Sequence, residues 1–197
     1  MTTDSHDDSD DLAKNRIDCI LLQQIAEHQD RRAMQTLYDA YLPRIFGFLR
    51  RMTTDDGLIE EAYNDIMLTV WNKAGQFRGQ SKASSWIFSI AYRVCLRMVK
   101  KQKFRTGVLE MLGRESADTP YETANPVDQD DLISAALKRL NATHRLVIEL
   151  SYFRDFSIEE IADIIGCPPN TVKTRLFHAR KHIRAFVDRQ ENRASLA

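Results

Sequence analysis

The chain is poor in the residues that build covalent or metal-held frameworks. It has three cysteines among 197 residues, Cys19, Cys95 and Cys167. Their number is odd, they lie far apart and no CxxC pair is present, so neither a disulfide framework nor a zinc site is indicated. We therefore expect reduced thiols, no metal and no cofactor.

Long apolar runs are also missing. The amino terminus, MTTDSHDDSDD, is acidic where a secretory signal would be basic, and no apolar segment of signal type follows it. The most apolar helix, near Trp86 to Val99, contains Arg93 and Arg97 and is too short to span a bilayer. These features predict a cytoplasmic protein without membrane insertion.

Strand patterns are absent, whereas apolar residues recur at the three-to-four spacing of helices. With 43% hydrophobic residues the chain can bury two small cores rather than one large one. We predict an all-α protein with two helical domains, residues 12–105 and 131–189, joined by an extended, acidic linker at 106–130. Residues 1–11 are expected to be a disordered acidic tail, and residues 190–197 a frayed end.

Three helices are predicted before the first basic loop. The first runs from Leu12 to His28, with Ile17, Ile20, Leu21 and Ile25 on its apolar face. The second follows a cap at Asp30 and should kink or break at Leu42, because Pro43 lacks an amide proton and crowds the preceding turn. The third runs from about Asp56 to Lys73. Its inward face is expected to be Leu58, Ile59, Ala62, Ile66 and Val70.

The charges balance in number but not in position. The net charge is zero, with 28 basic and 28 acidic residues, yet neither Ile66 to Leu109 nor Ile164 to Val187 contains an acid. Acids gather instead in the amino-terminal tail and in the linker. Two basic, acid-free segments predict two surfaces for one polyanion.

The second acid-free segment begins inside a helix-turn-helix pattern. Ser157 and Glu160 form a capping box, Gly166 ends the first short helix, and Pro169 is suited to be the first residue of the next. In that next helix one face is apolar: Val172, Leu176, Ala179, Ile183 and Phe186. The opposite face carries the donors Lys173, Thr174, Lys181 and Arg184 and one outward aromatic residue, Phe177. A two-helix unit of this kind presents its second helix to the major groove of DNA.

The segment AGQFRGQSKAS, from Ala74 to Ser84, is a glycine-interrupted basic loop. A fourth helix should follow it to about Lys103, capped by Ser84 or Ser85. Trp86, Ile87, Ile90, Ala91, Val94, Cys95 and Met98 form its apolar stripe, and Arg93 and Arg97 remain for solvent or phosphate. A basic loop with an aromatic residue, followed by a basic helix, suits single-stranded nucleic acid, although solvated charge alone explains the same pattern.

An acidic cluster, Glu60, Glu61, Asn64 and Asp65, lies on the third helix. Paired carboxylates can perform acid–base chemistry, but no nucleophile or glycine-rich loop accompanies these, so an enzyme is not expected. An exposed acidic face, or a docking surface for a basic partner, accounts for them better.

Two blocks of this sequence together resemble the extracytoplasmic-function sigma factors. LYDAYLPRIFGFLRRM, continued by IEEAYNDIMLTVWNKAGQFRGQSKASSWIFSIAYRVCLRMVKK, is similar to the family's second sigma domain. LNATHRLVIELSYFRDFSIEEIADIIGCPPNTVKTRLFHARKHIR is similar to its fourth. The resemblance implies a bacterial protein that binds core RNA polymerase and directs it to promoters. It also implies an anti-sigma factor as partner.

The resemblance also assigns roles to residues. Polymerase docking falls to Asp56, Glu60, Glu61, Asn64, Asp65 and Trp71. Reading and opening of the minus-ten element, with a base flipped out of the duplex, falls to Phe77, Arg78, Gln80, Ser81, Lys82, Ser84, Trp86, Arg93 and Arg97. Reading of the duplex minus-thirty-five element falls to Thr171, Lys173, Thr174, Arg175, Phe177, His178, Arg180, Lys181 and Arg184. The sequence departs from the family at Asn64-Asp65, Arg93 and Pro169-Asn170.

One other function stays open from the residues. A stand-alone helix-turn-helix repressor or activator would use residues 12–105 for sensing or dimerisation, and would bind a palindromic operator tightly without polymerase. A sigma factor should bind DNA weakly by itself and should need core polymerase.

Overall fold

The computed structural model describes the backbone of residues 4–105 and 129–194, and the side chains of residues 11–101, 132–133 and 135–190. Within these ranges every regular element is a helix, so the predicted all-α class is confirmed. Most of the predicted linker, up to residue 128, lies outside the described residues. The α-helices are α1 Asp4–His28, α2 Arg31–Arg50, α3 Asp56–Lys73, α4 Ala83–Arg105, α5 Gln129–Lys138, α6 Ala142–Tyr152, α7 Ile158–Ile165 and α8 Pro169–Ala194. A 3₁₀ turn, Ala74–Gln76, follows α3.

The chain divides into two compact units, with the main boundary at Met98 near the end of α4. In the amino-terminal unit, aspartates begin two helices as side-chain caps. Asp30, the predicted cap of α2, accepts hydrogen bonds from the amides of Arg32 and Ala33 at 2.7 and 3.3 Å. Asp55 accepts one from the amide of Leu58 at 3.1 Å. Such caps satisfy amides that have no partner within the helix.

The core of the amino-terminal unit is aromatic as well as aliphatic. Phe48 of α2 packs edge-to-face on Phe88 of α4, with ring centroids 5.7 Å apart. Tyr41 is buried, and its hydroxyl donates to the Asp18 carboxylate of α1 at 2.6 Å. The predicted inward residues of α3 are buried, apart from Leu58, which is half-buried.

Two expectations for α1 are wrong. The helix begins at Asp4, so residues 4–11 are not a disordered tail. No glycine or proline interrupts this stretch, and acids in a first turn are favoured by the helix dipole. Ile17 and Ile20 of the predicted apolar face are exposed, whereas Leu22 and Ile25 are buried. The side of α1 that carries Asp18, Leu22 and Ile25 is therefore the one that packs inward.

The predicted break at Leu42 is also wrong, because α2 continues through Pro43. Pro43 itself is exposed, while Tyr41, Ile45 and Phe48 around it are fully buried. A proline inside a helix costs about 3 kcal/mol. Burying one large apolar side chain contributes about 1.5–3 kcal/mol, so packing outweighs the loss.

The start of α4 differs from the expectation as well. The helix begins at Ala83, so neither Ser84 nor Ser85 is its cap. The Ala83 amide donates instead to the side-chain oxygen of Asn15 in α1, at 2.8 Å. A residue far away in the sequence thus satisfies the first amide of the helix.

In the carboxy-terminal unit, two arginines make hydrogen bonds near the helix ends. Arg145 of α6 donates to the carbonyl oxygens of Leu137 at 2.8 Å and Lys138 at 2.7 Å, where α5 ends. Glu149 is buried and accepts a hydrogen bond from Arg154 at 3.0 Å. These contacts hold the ends of α5 and α6, and the core of apolar residues packs around them.

The last helix is longer than predicted. It continues to Ala194, so residues 190–194 are helical rather than frayed. Between Pro169 and Ala194 the sequence contains no glycine and no further proline to interrupt the helix.

Replacing Gly166 by alanine should weaken α7 locally. Gly166 has φ 75°, a left-handed conformation that costs an L-residue roughly 1 kcal/mol, although open space surrounds the site. Hydrogen exchange of the α7 amides should therefore become about fivefold faster. Gly57→Ala is the matched control: its Cβ would meet Asp55 at an ordinary 3.4 Å, and it should cause no acceleration. Equal exchange in wild type and Gly166→Ala would contradict the strain argument.

Candidate nucleic-acid interface

The turn between α7 and α8 is built by the residues that the sequence suggested. The Ser157 hydroxyl accepts from the Glu160 amide at 3.1 Å, and the Glu160 carboxylate accepts from the Ser157 amide at 2.8 Å. At the other end, the Gly166 and Cys167 amides both donate to the Ala162 carbonyl, at 2.8 and 3.1 Å. Pro169 is the first residue of α8. The capping box, the glycine end and the proline start are all confirmed.

The buried side of α8 determines which of its residues face solvent. Val172, Leu176, Ala179 and Phe186 are buried. Lys173, Phe177, Lys181 and Arg184 follow one another at steps of four, four and three residues, and all four are exposed. Phe177 is 63% exposed, which is unusual for a large apolar ring. Its flat apolar face between two lysines is suited to contact base edges or a thymine methyl group.

Other candidate residues on α8 have partners within the protein. Thr174 is exposed, but its hydroxyl donates to the Asn170 carbonyl at 2.9 Å. Arg175 is half-buried, and its guanidinium contacts the Cys167 sulfur at 3.8 Å. The Arg180 guanidinium lies 5.7 Å from the centre of the Tyr152 ring. These side chains flank the exposed stripe and are already oriented by their contacts.

Two α8 residues that the resemblance assigned to the minus-thirty-five element remain, His178 and Thr171. His178 is exposed, and its ring centre lies 6.3 Å from that of His144. His182, one turn further along α8, lies 6.2 Å from His144. Thr171 is half-buried in the first turn of α8. Thr171 is therefore less accessible to a ligand than Lys173 or Phe177.

The basic loop of the amino-terminal unit leads from the 3₁₀ turn to α4. Arg78 and Gln80 are exposed, and Gly79 between them has a positive φ of 68°. Phe77 is half-buried, with its ring centre 5.6 Å from that of Trp86. Ser81, Lys82 and Ser84 are also half-buried. The loop therefore carries exposed hydrogen-bond donors next to the Phe77–Trp86 ring pair.

The cations of α4 lie on its solvent side. Arg93 and Arg97 are one turn apart and both are exposed. The Arg93 guanidinium donates to the Ser89 hydroxyl at 2.9 Å, which orients it along the helix. Charged donors in such a row are suited to contact successive phosphates.

Four of the predicted docking residues, Glu60, Glu61, Asn64 and Asp65, share the exposed side of α3. Asp56, Glu60, Glu61, Asn64 and Asp65 are exposed, and Trp71 is half-buried. The Tyr38 hydroxyl donates to the Asn64 side-chain oxygen at 3.3 Å. Beneath it, burial raises the pKa of Tyr63, so this phenol stays protonated and donates to the Tyr38 carbonyl.

Sequence reasoning missed Leu68, which lies in the middle of this face. It is 59% exposed, and it follows Asn64 by one helical turn. The signal was present in the sequence, because Leu68 falls outside the inward series formed by Ile59, Ala62, Ile66 and Val70. An exposed leucine with Asn64 and Asp65 on the preceding turn has the arrangement of an apolar interface residue beside a polar rim.

Comparison with known proteins gives both units a family. Residues 37–105 match the sequence profile of Sigma-70 region 2, and residues 130–183 match that of Sigma-70 region 4. The ECF RNA polymerase sigma factor SigL of Mycobacterium tuberculosis is 30% identical over 154 residues, which are 77% of this chain and 86% of SigL. The chain belongs to the ECF sigma factor family. The expectation from the two sequence blocks is confirmed.

Further relatives of this sigma factor agree in sequence and in fold. The ECF sigma factor RpoE of Cereibacter sphaeroides is 27% identical over 168 residues, 85% of this chain and 93% of RpoE. CnrH, solved in complex with the cytosolic domain of CnrY, matches with a TM-score of 0.65 at 18% identity over 87% of this chain and 97% of CnrH. RpoE of Bartonella quintana, solved with the anti-sigma factor NepR, matches with a TM-score of 0.60 at 24% identity over 78% of this chain and 96% of that chain.

The described side chains of this sigma factor form no group of three or more histidine, cysteine, aspartate or glutamate residues placed to hold a metal ion. Between residues 4 and 105 and between 129 and 194, no helix has the length and hydropathy needed to cross a bilayer.

Proposed function

We propose that this sigma factor binds core RNA polymerase and selects promoters by two contacts with DNA, one made by each unit. The observation that carries the proposal is the exposed stripe of α8, in which Phe177 stands between Lys173 and Lys181 on a capped helix-turn-helix. The basic loop before α4, in the other unit of the same chain, supplies a second surface for nucleic acid.

The α8 stripe reads the duplex minus-thirty-five element. Lys173, Thr174 and Phe177 reach base edges, because they lie near the amino-terminal end of a recognition helix. Arg175, His178, Arg180 and Arg184 contact phosphates and set the register of the helix on the duplex. The partners already made by Arg175 and Arg180 support this division, since oriented cations lose less entropy on binding a phosphate.

The loop and α4 open the minus-ten element. Gln80, Ser81, Lys82 and Ser84 contact a base flipped out of the duplex, and Arg93 and Arg97 contact the phosphates of the separated strand. Flipping and unpairing cost a few kcal/mol. These charged and polar contacts to the single strand offset that cost, and the protein performs no covalent chemistry.

The face of α3 docks on the polymerase. Glu60, Glu61 and Asp65 attract a basic partner, and Leu68 at the centre supplies apolar area that is removed from water on binding. A place at the apolar centre of a charged interface accounts for the exposure of Leu68.

A groove in the carboxy-terminal unit is the site for a second protein partner, an anti-sigma factor. Its volume is about 580 Å³, and apolar side chains that include Ile133, Tyr152, Ile183 and Val187 line it. Ile133 and Tyr152 are each 54% exposed. An amphipathic helix can lay its apolar face in such a groove. The related RpoE of Bartonella quintana was solved in complex with an anti-sigma factor, which supports the class of partner.

Replacing Lys173 and Phe177 together by alanine should lower promoter-directed transcription by purified holoenzyme at least about tenfold, because each base contact contributes about 1–3 kcal/mol. Binding to core polymerase should not change. Arg189→Ala, which removes an exposed cation further along α8, is the control and should have little effect. Loss of polymerase binding in the double variant would contradict the assignment of α8 to DNA.

Replacing Leu68 by aspartate should weaken association with core polymerase by roughly 30-fold, as expected when a central interface residue is lost. Asp65→Arg should act in the same direction by repelling a basic partner. Ile20→Asp is matched to Leu68→Asp, because Ile20 is also an exposed apolar residue of this unit, and it should bind normally. The measurement is a titration of labelled core polymerase. Unchanged affinity of the Leu68 variant would remove α3 from the interface.

Replacing Ile133 by aspartate should release the sigma factor from its anti-sigma partner. Transcription from its promoters in cells without the inducing signal should rise, because an apolar helix no longer fits a charged groove. Transcription by purified holoenzyme should be unchanged. If purified transcription fell instead, the groove would serve polymerase or folding and not an inhibitor.

A further inference from the structure

The loop that we assign to the minus-ten element is in contact with α1. The Lys82 ammonium lies 2.7 Å from a carboxylate oxygen of Asp11. The two side chains are 39% and 57% exposed, so water and other anions can reach the pair. Lys82 is one of the residues for which the proposed function requires contact with the melted strand.

Further contacts hold α1 at this place. Asn15, one turn after Asp11, accepts a hydrogen bond from the Ala83 amide at 2.8 Å. Cys19, a further turn along, lies close to the backbone of Ala83. Asp11, Asn15 and Cys19 are spaced by four residues and therefore share one side of α1. The contacts of Asn15 and Cys19 with Ala83 therefore hold this side of α1, and Asp11 with it, next to Lys82.

The charges around this contact are distributed unevenly. Upstream of Asp11, α1 continues to Asp4 through the sequence DSHDDSD, which contains four more aspartates. On the other side of the contact, Ile66 to Leu109 contains no acid. At 1.5 Å per residue, the acidic part of α1 extends about 10 Å beyond Asp11. The Asp11 carboxylate offers Lys82 a negative charge, as a DNA phosphate does.

We propose that the acidic first turns of α1 are an autoinhibitory counter-charge for the minus-ten loop. In the free sigma factor Asp11 pairs with Lys82, and the melted strand must displace Asp11 before Lys82 can contact that strand. The inference rests on the proposed function of the loop. The free protein therefore binds non-specific DNA more weakly than it would without the Asp11–Lys82 pair.

The test measures binding of the full-length protein to a fluorescent single-stranded oligothymidylate at low salt, by anisotropy. Asp11→Asn keeps the shape of the side chain and removes its charge. An exposed ion pair contributes about 0.2–1 kcal/mol, so the variant should bind about 1.5- to 5-fold more tightly than wild type. The gain should shrink as salt is raised, because screening weakens the pair.

Two controls make the test specific. Asp39→Asn removes one charge from an exposed site on α2 of the same unit, and it should give little or no gain. Lys82→Ala should weaken binding, and adding Asp11→Asn to it should restore nothing, because the partner of Asp11 is already gone.

Three results would overturn the inference: no gain for Asp11→Asn, an equal gain for Asp39→Asn, or a gain that persists in the Lys82→Ala background. Each leaves the proposed role of the loop intact if Lys82→Ala still weakens binding. If Lys82→Ala binds like wild type, the loop does not contact the strand through Lys82. The proposed function of the loop then fails, and this inference fails with it.

Discussion

The burial of one side of α8 is the constraint on which the proposed reading of DNA depends. Val172, Leu176, Ala179 and Phe186 are buried in the core of the carboxy-terminal unit. Because a helix is rigid, this burial forces Lys173, Phe177, Lys181 and Arg184 into solvent along a single stripe. The left-handed Gly166 and the proline at the start of α8 set where this helix begins. An exposed aromatic residue such as Phe177 lowers solubility. A role in contacting base edges accounts for its exposure.

The same logic applies to the amino-terminal unit, where packing leaves two different surfaces free. The exposed side of α3 presents acids next to Leu68, and the loop before α4 presents basic and polar side chains. The acidic surface of α3 suits a basic protein partner, and the basic loop before α4 suits a nucleic acid. A sigma factor needs both, because it must stay attached to polymerase while it binds DNA. The contact between Asp11 and Lys82 links the charge of α1 to the second of these surfaces.

Local signals allowed much of this to be predicted from sequence. The capping box at Ser157, the end of α7 at Gly166 and the exposed residues of α8 follow from spacing within a few residues. Features that depend on distant contacts could not be predicted. Pro43 is tolerated because aromatic and aliphatic neighbours are buried around it, and the Ala83 amide is capped by Asn15, from a helix almost 70 residues earlier. Which side of α1 packs inward was likewise decided by α2, since Ile17 and Leu22 are equally apolar. The roles of individual residues at the two DNA surfaces rest on the family resemblance together with their exposure.

The most direct measurement of the central claim is transcription of fragmented genomic DNA by purified core RNA polymerase, with and without this protein, with every start site mapped. The account predicts a set of new start sites that appears only with the protein and shares two upstream sequence elements, one near minus ten and one near minus thirty-five. An identical set of start sites in both reactions, with the protein bound to DNA but not to polymerase, would contradict it.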